Sequence, residues 1–385
     1  MSDWQSVCIG DVVSIPKKQP VANPREIELL TVRLYANGVE RTGKYPKATE
    51  RGRPYFAREA GEILIGRQNF HNGGIGIVSE SDAGLICSNA ITSLAPTPKA
   101  DRDFLFYLLS NEQFRKQIQR QSEGTGQSEI SETKILSLEI PLPPLPEQKK
   151  IAEILSGIDI RKKSLTRQRE KLQVAYKALS GELLGSLPRK VPLNDICDLQ
   201  VGFPFRSADF SEGGVRLLRG ENVGYGAPNW ERAQFLPNSL AEASSMYQVN
   251  TGDIVIGMDR SFTKSGFKVS KISSADLPCL LVQRVGRFAP KSISTNFLWH
   301  ILQSPDYQRV LLSSEKGMDI PHLSKGEILE PLVPVADAQT QKQVSNSLDS
   351  MLKSIRSVDA SIAATSQLGA ALQSDLLSGR KRVSI

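Results

Sequence analysis

The sequence predicts an α+β protein in which two α/β globular domains follow each other in tandem. Each domain is followed by one long helix, and the two helices are expected to pack as an antiparallel coiled coil. Three observations predict this class: the chain repeats itself, short apolar runs are broken by turn residues, and two long segments carry an apolar residue every three or four positions. The predicted boundaries are 1–143 and 188–336 for the two domains, 144–187 for the first long helix, and 337–385 for the second long helix and tail.

The internal repeat is visible in several matched segments. FLFYLLSNEQF at 104–114 aligns with FLWHILQSPDY at 297–307, an offset of 193 residues, and the same offset aligns ISETKIL at 130–136 with LSKGEIL at 323–329. GEILIG at 61–66 similarly resembles GDIVIG at 252–257. Twice the offset is nearly the chain length of 385 residues. The chain is therefore two copies of one unit, and a pseudo-twofold internal repeat is expected.

The first part of each copy consists of short apolar runs separated by Gly, Pro, Asn and Asp. EILIG, GIGIVS, DIVIG and CLLVQRV are examples of these runs. Runs of this length bounded by turn residues are typical of strands. Longer apolar periodicity predicts helices at 101–119 and 295–313.

The second part of each copy predicts a helix of about five heptads. Pro146 suits the first helical turn, and Glu147 complements the positive end of the helix dipole. A spacing near 3.5 residues indicates a coiled-coil seam, and the apolar face is too narrow to be buried without a partner helix. The seam residues are Ile151, Leu155, Ile158, Leu165, Leu172, Leu179 and Leu183 in the first helix, and Val344, Leu348, Met351, Ile355, Val358, Ile362, Leu372 and Leu376 in the second.

Composition restricts the class of protein. Lys and Arg number 48 against 41 Asp and Glu, which gives a net charge of +7 and a pI of about 9.1, and this favours a polyanionic partner. No apolar run is long enough to span a membrane and the N-terminus does not resemble a secretory signal, so a cytoplasmic protein is expected. The four cysteines are far apart and are expected to be reduced and mostly buried, and the three histidines do not cluster as metal ligands would.

Catalytic motifs are absent or incomplete. GVERTGKY at 38–45 nearly matches a phosphate-binding loop, but Tyr45 stands where a hydroxyl should hold magnesium, and Pro46 follows it. No G-x-G-x-x-G follows a strand, no G-x-S-x-G occurs, and no Asn/Asp-Pro-Pro-aromatic tetrapeptide is present for a flipped adenine. The sequence predicts neither a catalytic residue nor a metal ligand.

Basic and polar clusters in both domains are the candidate DNA contacts. Residues 41–58 read RTGKYPKATERGRPYFAR, with six basic residues against one acidic residue. Arg and Lys suit phosphates and guanine edges, whereas Asn and Gln suit adenine. The predicted DNA-binding residues are Lys44, Lys47, Arg51, Arg53, Arg58, Arg67, Gln68, Asn69, Arg206, Arg219, Asn222, Arg260, Lys264 and Lys268.

PLPPLPEQKKIAEILSGID at 141–159 resembles the central region of specificity subunits of type I restriction–modification systems. GFPFRSADF at 202–210, RLLRGENV at 216–223 and GDIVIG are similar to the start of their target-recognition domains. The first copy reads LLTVRLYANGV at 29–39 in place of the G-x-P-F opening. The two domains are therefore expected to recognise different sequences.

The resemblance implies a non-catalytic subunit of a DNA adenine methyltransferase and endonuclease complex. Each target-recognition domain would read one half of a split target in double-stranded DNA, and the helices would set the distance between the halves. Two methyltransferase subunits, and restriction subunits through them, are the implied partners. S-adenosylmethionine, ATP and Mg would be used by those partners, with no cofactor bound by this chain. The alternatives are a fused nuclease or methyltransferase and a coiled-coil adaptor that binds no DNA.

Overall fold

The computed structural model describes residues 4–47, 54–116, 129–263, 266–314 and 322–384. The chain divides into two compact units. Unit 1 comprises Met1–Thr166 and Ala360–Ile385, and unit 2 comprises Arg167–Asp359. Each long helix therefore contributes one half to each unit.

Unit 1 is built on a four-stranded antiparallel sheet with strand order β2-β9-β6-β7, and three two-stranded pairs, β1-β10, β3-β4 and β5-β8, surround it. Its strands are β1 (Gln5–Cys8), β2 (Val13–Ser14), β3 (Leu30–Val32), β4 (Val39–Arg41), β5 (Tyr55–Ala57), β6 (Ile63–Gly66), β7 (Ile75–Ile77), β8 (Ile86–Ser88), β9 (Ile91–Pro96) and β10 (Glu139–Leu142). Its α-helices include α1 (Arg102–Ser110), α2 (Glu132–Leu136), the first half of α3 (Leu145–Gly185) and the second half of the last long helix, α9 (Ala338–Leu377).

Unit 2 has a matching four-stranded sheet of order β12-β20-β15-β18, a three-stranded sheet β14-β13-β19, and the pairs β11-β21 and β16-β17. Its strands are β11 (Arg189–Pro192), β12 (Cys197–Val201), β13 (Val215–Leu218), β14 (Phe235–Leu236), β15 (Ile254–Gly257), β16 (Phe262–Thr263), β17 (Gly266–Phe267), β18 (Val269–Lys271), β19 (Cys279–Leu281), β20 (Val285–Pro290) and β21 (Leu332–Val335). Its α-helices include the second half of α3, then α4 (Leu193–Ile196), α5 (Asn238–Ala243), α6 (Thr295–Gln303), α7 (Pro305–Ser314), α8 (Lys325–Leu329) and the first half of α9 (Ala338–Leu377).

The two copies of the sequence repeat form equivalent secondary-structure elements in the two units. GEILIG and GDIVIG provide β6 and β15, which occupy the same position in the two four-stranded sheets. Phe104 on α1 and Phe297 on α6 are fully buried in the cores of their units. Three of the four cysteines are buried, as the sequence predicted, and Cys8 is partly exposed.

The segments predicted as helices at 101–119 and 295–313 are helical but interrupted. Helix α1 ends at Ser110 because Asn111 is extended, residues 112–116 are helical again, and residues 117–119 lie outside the described part of the chain. In unit 2 the predicted helix is two helices, α6 and α7, separated at Ser304, whose backbone is also extended. Ser304 precedes Pro305, and the proline ring disfavours helical geometry in the preceding residue.

A glutamine at the start of each long helix joins that helix to the short helix beside it. Gln148 Oε1 accepts a 2.7 Å hydrogen bond from the Asp101 backbone N–H, and Asp101 is the N-cap of α1. Gln341 Oε1 accepts one of 2.9 Å from Ser294, the N-cap of α6. Each amide also donates to a carbonyl just before its own helix. The repeated glutamine is thus explained by the same set of hydrogen bonds in both units.

The two long helices are antiparallel within each unit. In unit 1 a Cβ built on Gly369 would lie 2.9 Å from Ile158 Cγ2, and Leu376 near the end of α9 joins Ile151 near the start of α3 in the core. In unit 2 Arg169 pairs with Asp359 at 3.7 Å. Together with the two α/β domains and their long helices, this pairing confirms the predicted fold class.

A buried polar network lies under the helix pair of unit 2. The His300 Nε2 atom is 3.1 Å from Asp349 Oδ1, and Nδ1 is 3.0 Å from the Tyr176 hydroxyl. Burial lowers the pKa of His300 despite the carboxylate beside it, so the ring is neutral at pH 7. Because a carboxylate only accepts, Nε2–H is the donor and Nδ1 accepts from the Tyr176 hydroxyl. His300 is therefore a structural side chain.

Candidate nucleic-acid interface

Two turns of unit 1 pack against each other and form one surface. We call residues 33–38 and 66–74 the unit 1 tip. The Tyr35 N–H donates to the Asn72 carbonyl at 2.7 Å, and the Ala36 N–H donates to the Gly73 carbonyl at 2.8 Å. Tyr35 and Ala36 have φ values of 59° and 54°, a left-handed conformation that side chains other than Gly seldom adopt. This backbone holds Tyr35 outward with 75% of its surface exposed.

The predicted residues Arg67, Gln68 and Asn69 lie in this tip, directly after β6. Gln68 and Asn69 are exposed, and their amides can offer both a donor and an acceptor to a base edge. Arg67 is 19% exposed and pairs with Glu129 at 2.7 Å and Glu132 at 3.4 Å. The two carboxylates reduce its attraction for phosphate and fix the direction of its guanidinium.

The other candidates of unit 1 lie elsewhere. Lys44 and Lys47 are exposed but follow β4, at the opposite end of the β3-β4 hairpin from the tip. Arg51 and Arg53 are outside the described residues. Arg58 is only 4% exposed, and it donates to the Ser93 hydroxyl and to main-chain carbonyls. Its guanidinium holds β5 to β9 and has no exposed face for a phosphate.

Three segments of unit 2 converge in a comparable way. We call residues 219–226, 258–263, 266–268 and 282–284 the unit 2 tip. Lys268 Nζ donates to the Gly220 carbonyl at 3.3 Å, and the Met258 N–H donates to the Arg284 carbonyl at 2.9 Å. The Tyr225 hydroxyl bonds the Thr263 hydroxyl, which joins the first segment to the second. The tip follows β15, the strand equivalent to β6.

Arginines with unusual backbone geometry project from the unit 2 tip. Arg260 is exposed and has a φ of 46°. Arg284 has a φ of 65°, its side chain is 60% exposed, and it lies 3.8 Å from Asp259. Exposed arginines at the ends of strands can reach phosphates or guanine edges. Sequence reasoning missed Arg284 and the half-exposed Tyr225, although an arginine two residues after the apolar run CLLV was an available signal.

The remaining candidates of unit 2 are engaged within the protein. Asn222 is 1% exposed, accepts from the Arg219 N–H at 3.3 Å and donates to the Asn229 carbonyl at 3.0 Å, so it organises the loop. Arg219 donates to the Arg232 carbonyl and pairs with Glu221. Arg206, at 81% exposure, pairs with Asp209 three residues along the chain. Lys264 is outside the described residues.

Two further searches concern metals and membranes. Over the described ranges, no group of three or more His, Cys, Asp and Glu side chains is placed to hold a metal ion. In the same part of the chain, no helix combines the length and the apolar character that crossing a membrane requires.

A family model described as the type I restriction modification DNA specificity domain matches residues 1–174 and again residues 189–363. The chain belongs to this family. The two matches cover both copies of the repeat, and they confirm the resemblance that the PLPPLPEQKK segment indicated. Recognition of a DNA target is the property that the family description assigns to specificity-family chains.

Curated relatives of this specificity-family chain agree with the family model. The type I restriction enzyme MjaVIII specificity subunit of Methanocaldococcus jannaschii is 30% identical over 385 residues, which cover 91% of this chain and 86% of that relative. The type I restriction enzyme EcoAI specificity subunit of Escherichia coli is 29% identical over 222 residues, 55% of this chain and 37% of its own length.

Two solved structures share the fold. The S subunit of a type I restriction–modification system from M. genitalium has a TM-score of 0.59 at 16% identity and covers 97% of this chain and 96% of its own. A chain from a study of complex assembly and conformational transition in a type I system has a TM-score of 0.57 at 18% identity and covers 97% of both chains. These likenesses extend over both units of this specificity-family chain.

Proposed function

We propose that this chain reads a bipartite target in double-stranded DNA, one half-site through each tip, and that it scaffolds methyltransferase and restriction subunits. The observation that carries the proposal is that equivalent strands, β6 and β15, each lead into an exposed polar or basic tip. Equivalent strands alone reflect only the repeated fold. The exposed amides after β6 and the exposed arginine after β15 suit contact with base edges and phosphates.

We assign base-edge contacts to Gln68 and Asn69 in unit 1 and to Arg260 in unit 2, and we add Arg284. Arg67, Arg219 and Lys268 would position these side chains or contact phosphates from the edge of each tip. Lys44, Lys47, Arg51, Arg53, Arg206 and Lys264 remain proposed phosphate contacts on the sequence evidence. Arg58 and Asn222 are not included because both are buried and their side chains form hydrogen bonds within their own units.

Catalysis would belong to the partners. We propose that the methyltransferase subunits bind S-adenosylmethionine, that the restriction subunits use ATP and Mg, and that this chain binds none of these cofactors. The dual matches to the specificity family support this division of roles. Methyl transfer to DNA by the purified chain alone, measured with labelled S-adenosylmethionine, would contradict it.

Selection of preferred sites from random duplexes, with the methyltransferase subunit present, tests the reading of two half-sites. Arg260→Ala should relax one half of the selected sequence, and the double variant Gln68→Ala/Asn69→Ala should relax the other half. One lost base contact corresponds to about 1–3 kcal/mol of discrimination. Arg309→Ala is the matched control because its side chain is exposed and paired with Asp306 and no DNA contact is assigned to it, so it should leave the selected sequence unchanged. If both tip variants altered the same half-site, the assignment of one half-site to each tip would be wrong.

A second experiment tests the helices as the spacer. Removing residues 160–166 of α3 together with 361–367 of α9 deletes one heptad from each helix inside unit 1, where these segments pair. Seven helical residues correspond to about 10 Å, or about three base pairs. The selected sites should therefore have a gap shorter by about three base pairs. Selection of the original gap by the shortened protein would contradict the spacer role.

A further inference from the structure

A polar cleft lies in unit 2 at the start of the long helix α9. It has a volume of about 860 Å³, and both the segment before α6 and the first turns of α9 line it. Gln341 bonds both walls, because it accepts from the Ser294 N–H and donates to the Ala336 carbonyl. The cleft is therefore held open by a fixed hydrogen-bonded frame. It contains none of the residues assigned above to the two tips.

A buried hydroxyl without a partner lines this cleft. Ser345 is 3% exposed, and among the described residues its Oγ has no hydrogen-bond partner. Ser180 on α3 is fully buried and its Oγ is likewise unpartnered within the described part of the chain. Each serine lies one helical turn from a residue that contacts His300, Ser345 from Asp349 and Ser180 from Tyr176. Buried polar groups are nearly always hydrogen-bonded, so the unpartnered Ser345 hydroxyl beside the cleft indicates a ligand.

The charges around the cleft favour an anion. Lys291 and Lys342 line it and are exposed; Lys291 Nζ donates to the Asn194 carbonyl at 3.2 Å, and within the described ranges Lys342 makes no ion pair. The N-termini of α6 and α9 both line the cleft and contribute partial positive charge, although the Phe297 N–H of α6 is already capped by the Ser294 hydroxyl. Asp337, the acid that lines the cleft, is turned onto α9, where it accepts from the N–H and the hydroxyl of Thr340.

The first copy of the repeat lacks this chemistry. At the offset of 193 residues, Ser345 corresponds to Ala152, which is buried and apolar. Asn296 corresponds to Asp103 and Asn346 to Glu153, so two neutral positions of the cleft are acidic in unit 1. Unit 2 therefore carries a hydroxyl and two neutral amides at three positions where unit 1 has a methyl group and two carboxylates.

We propose that the cleft of unit 2 binds a phosphoryl group. Two ammonium groups, the positive ends of two helices and a hydroxyl together suit a tetrahedral oxyanion, which offers more acceptor atoms than a carboxylate. Among the described residues the Ser345 hydroxyl has no hydrogen bond that a ligand would have to replace. The phosphoryl group could belong to a free phosphate or to a nucleic-acid backbone. The inference does not rest on the assignment of the tips.

Titration of the full-length chain with inorganic phosphate at constant ionic strength, followed by calorimetry and by phosphorus-31 line broadening, tests the site. Saturable binding is expected in the parent protein. The double variant Lys291→Gln/Lys342→Gln should bind about tenfold more weakly, because charge-assisted hydrogen bonds are lost. Asn346→Glu should weaken binding similarly by introducing the acid that the first repeat carries. Asn346 is exposed, so this variant should fold as the parent does.

The control is Lys353→Gln, which removes an exposed lysine further along α9 and should leave phosphate binding unchanged. Ser345→Ala should weaken binding without a change in fold, since Ala152 occupies the equivalent buried position. Displacement of phosphate by a duplex of unrelated sequence would identify a backbone phosphate as the source, and retained phosphate binding on the duplex-saturated protein would identify a free phosphate. The proposal is overturned if no saturable binding occurs, or if the cleft variants bind as the parent does. Site selection by the tips would be unaffected by either result, so the two proposals fail separately.

Discussion

Replacing Arg382 with alanine removes the cation that faces a buried carboxylate in unit 1. Arg382 Nε and Nη2 donate to the two carboxylate oxygens of Glu147 at 2.6 and 2.7 Å, and Trp4 Nε1 donates to the same carboxylate at 3.2 Å. Glu147 is 1% exposed, whereas the Arg382 side chain is 43% exposed. Breaking a fully buried pair costs about 3–5 kcal/mol. Solvent screening of the exposed arginine reduces the expected loss to about 2 kcal/mol.

The measurement is urea unfolding of the full chain followed by tryptophan fluorescence, with hydrogen exchange of β1 and β10 to locate the loss in unit 1. Glu153→Gln is the control, because Glu153 forms an exposed pair with Lys150 and should change the free energy of unfolding by less than about 0.5 kcal/mol. If Arg382→Ala were as stable as this control at pH 7, the reasoning from the buried carboxylate would be refuted.

The same pair predicts a pH dependence. Hydrogen bonds from Arg382 are the largest cause of the lowered pKa of Glu147 in the folded protein, and they outweigh the opposing effect of burial. Since the folded pKa is below the unfolded value of about 4.3, the stabilisation is fully present above that value and is lost as pH falls through the folded pKa. The difference in stability between the parent and Glu147→Gln should therefore be constant near neutrality and shrink in acid. A difference that grew on acidification would contradict the assignment.

Three further substitutions test other parts of the structure. Tyr176→Phe leaves the buried His300 Nδ1 without its donor and should lower the free energy of unfolding, measured with urea, by about 1–2 kcal/mol. Tyr107→Phe, at the more accessible hydroxyl of unit 1, should lower it by less. Equal losses would argue against the buried network. Tyr35→Gly should relieve about 1–2 kcal/mol of left-handed backbone strain and add about 0.5–1 kcal/mol of chain entropy, so the free energy of unfolding should be unchanged or slightly higher. Duplex affinity, measured by fluorescence anisotropy, should fall. Unchanged affinity would show that Tyr35 does not contact the DNA. Arg58→Met should lower the free energy of unfolding by about 3 kcal/mol and leave the selected DNA sequence intact, and an altered selection in a stably folded variant would place it at the interface after all.

The repeat, the two long helices and the family can all be predicted from the sequence alone. These features depend on local patterns. Apolar spacing predicts α3 and α9 directly, and the matched segments show that β6 and β15 are equivalent without any knowledge of packing. The break between α6 and α7 was also encoded locally, in the proline at position 305, although the periodicity on both sides of it suggested one helix.

Which polar side chains are exposed and available to a partner depends on tertiary contacts. Arg58 and Arg260 are the same residue type in similarly basic stretches, yet one is buried against β9 and the other projects from a tip. Exposure and ion pairing depend on residues far away in sequence, such as Ser93 for Arg58 and Asp259 for Arg284. A single sequence contains no local signal for such contacts, because burial is a property of the folded core and not of the residue.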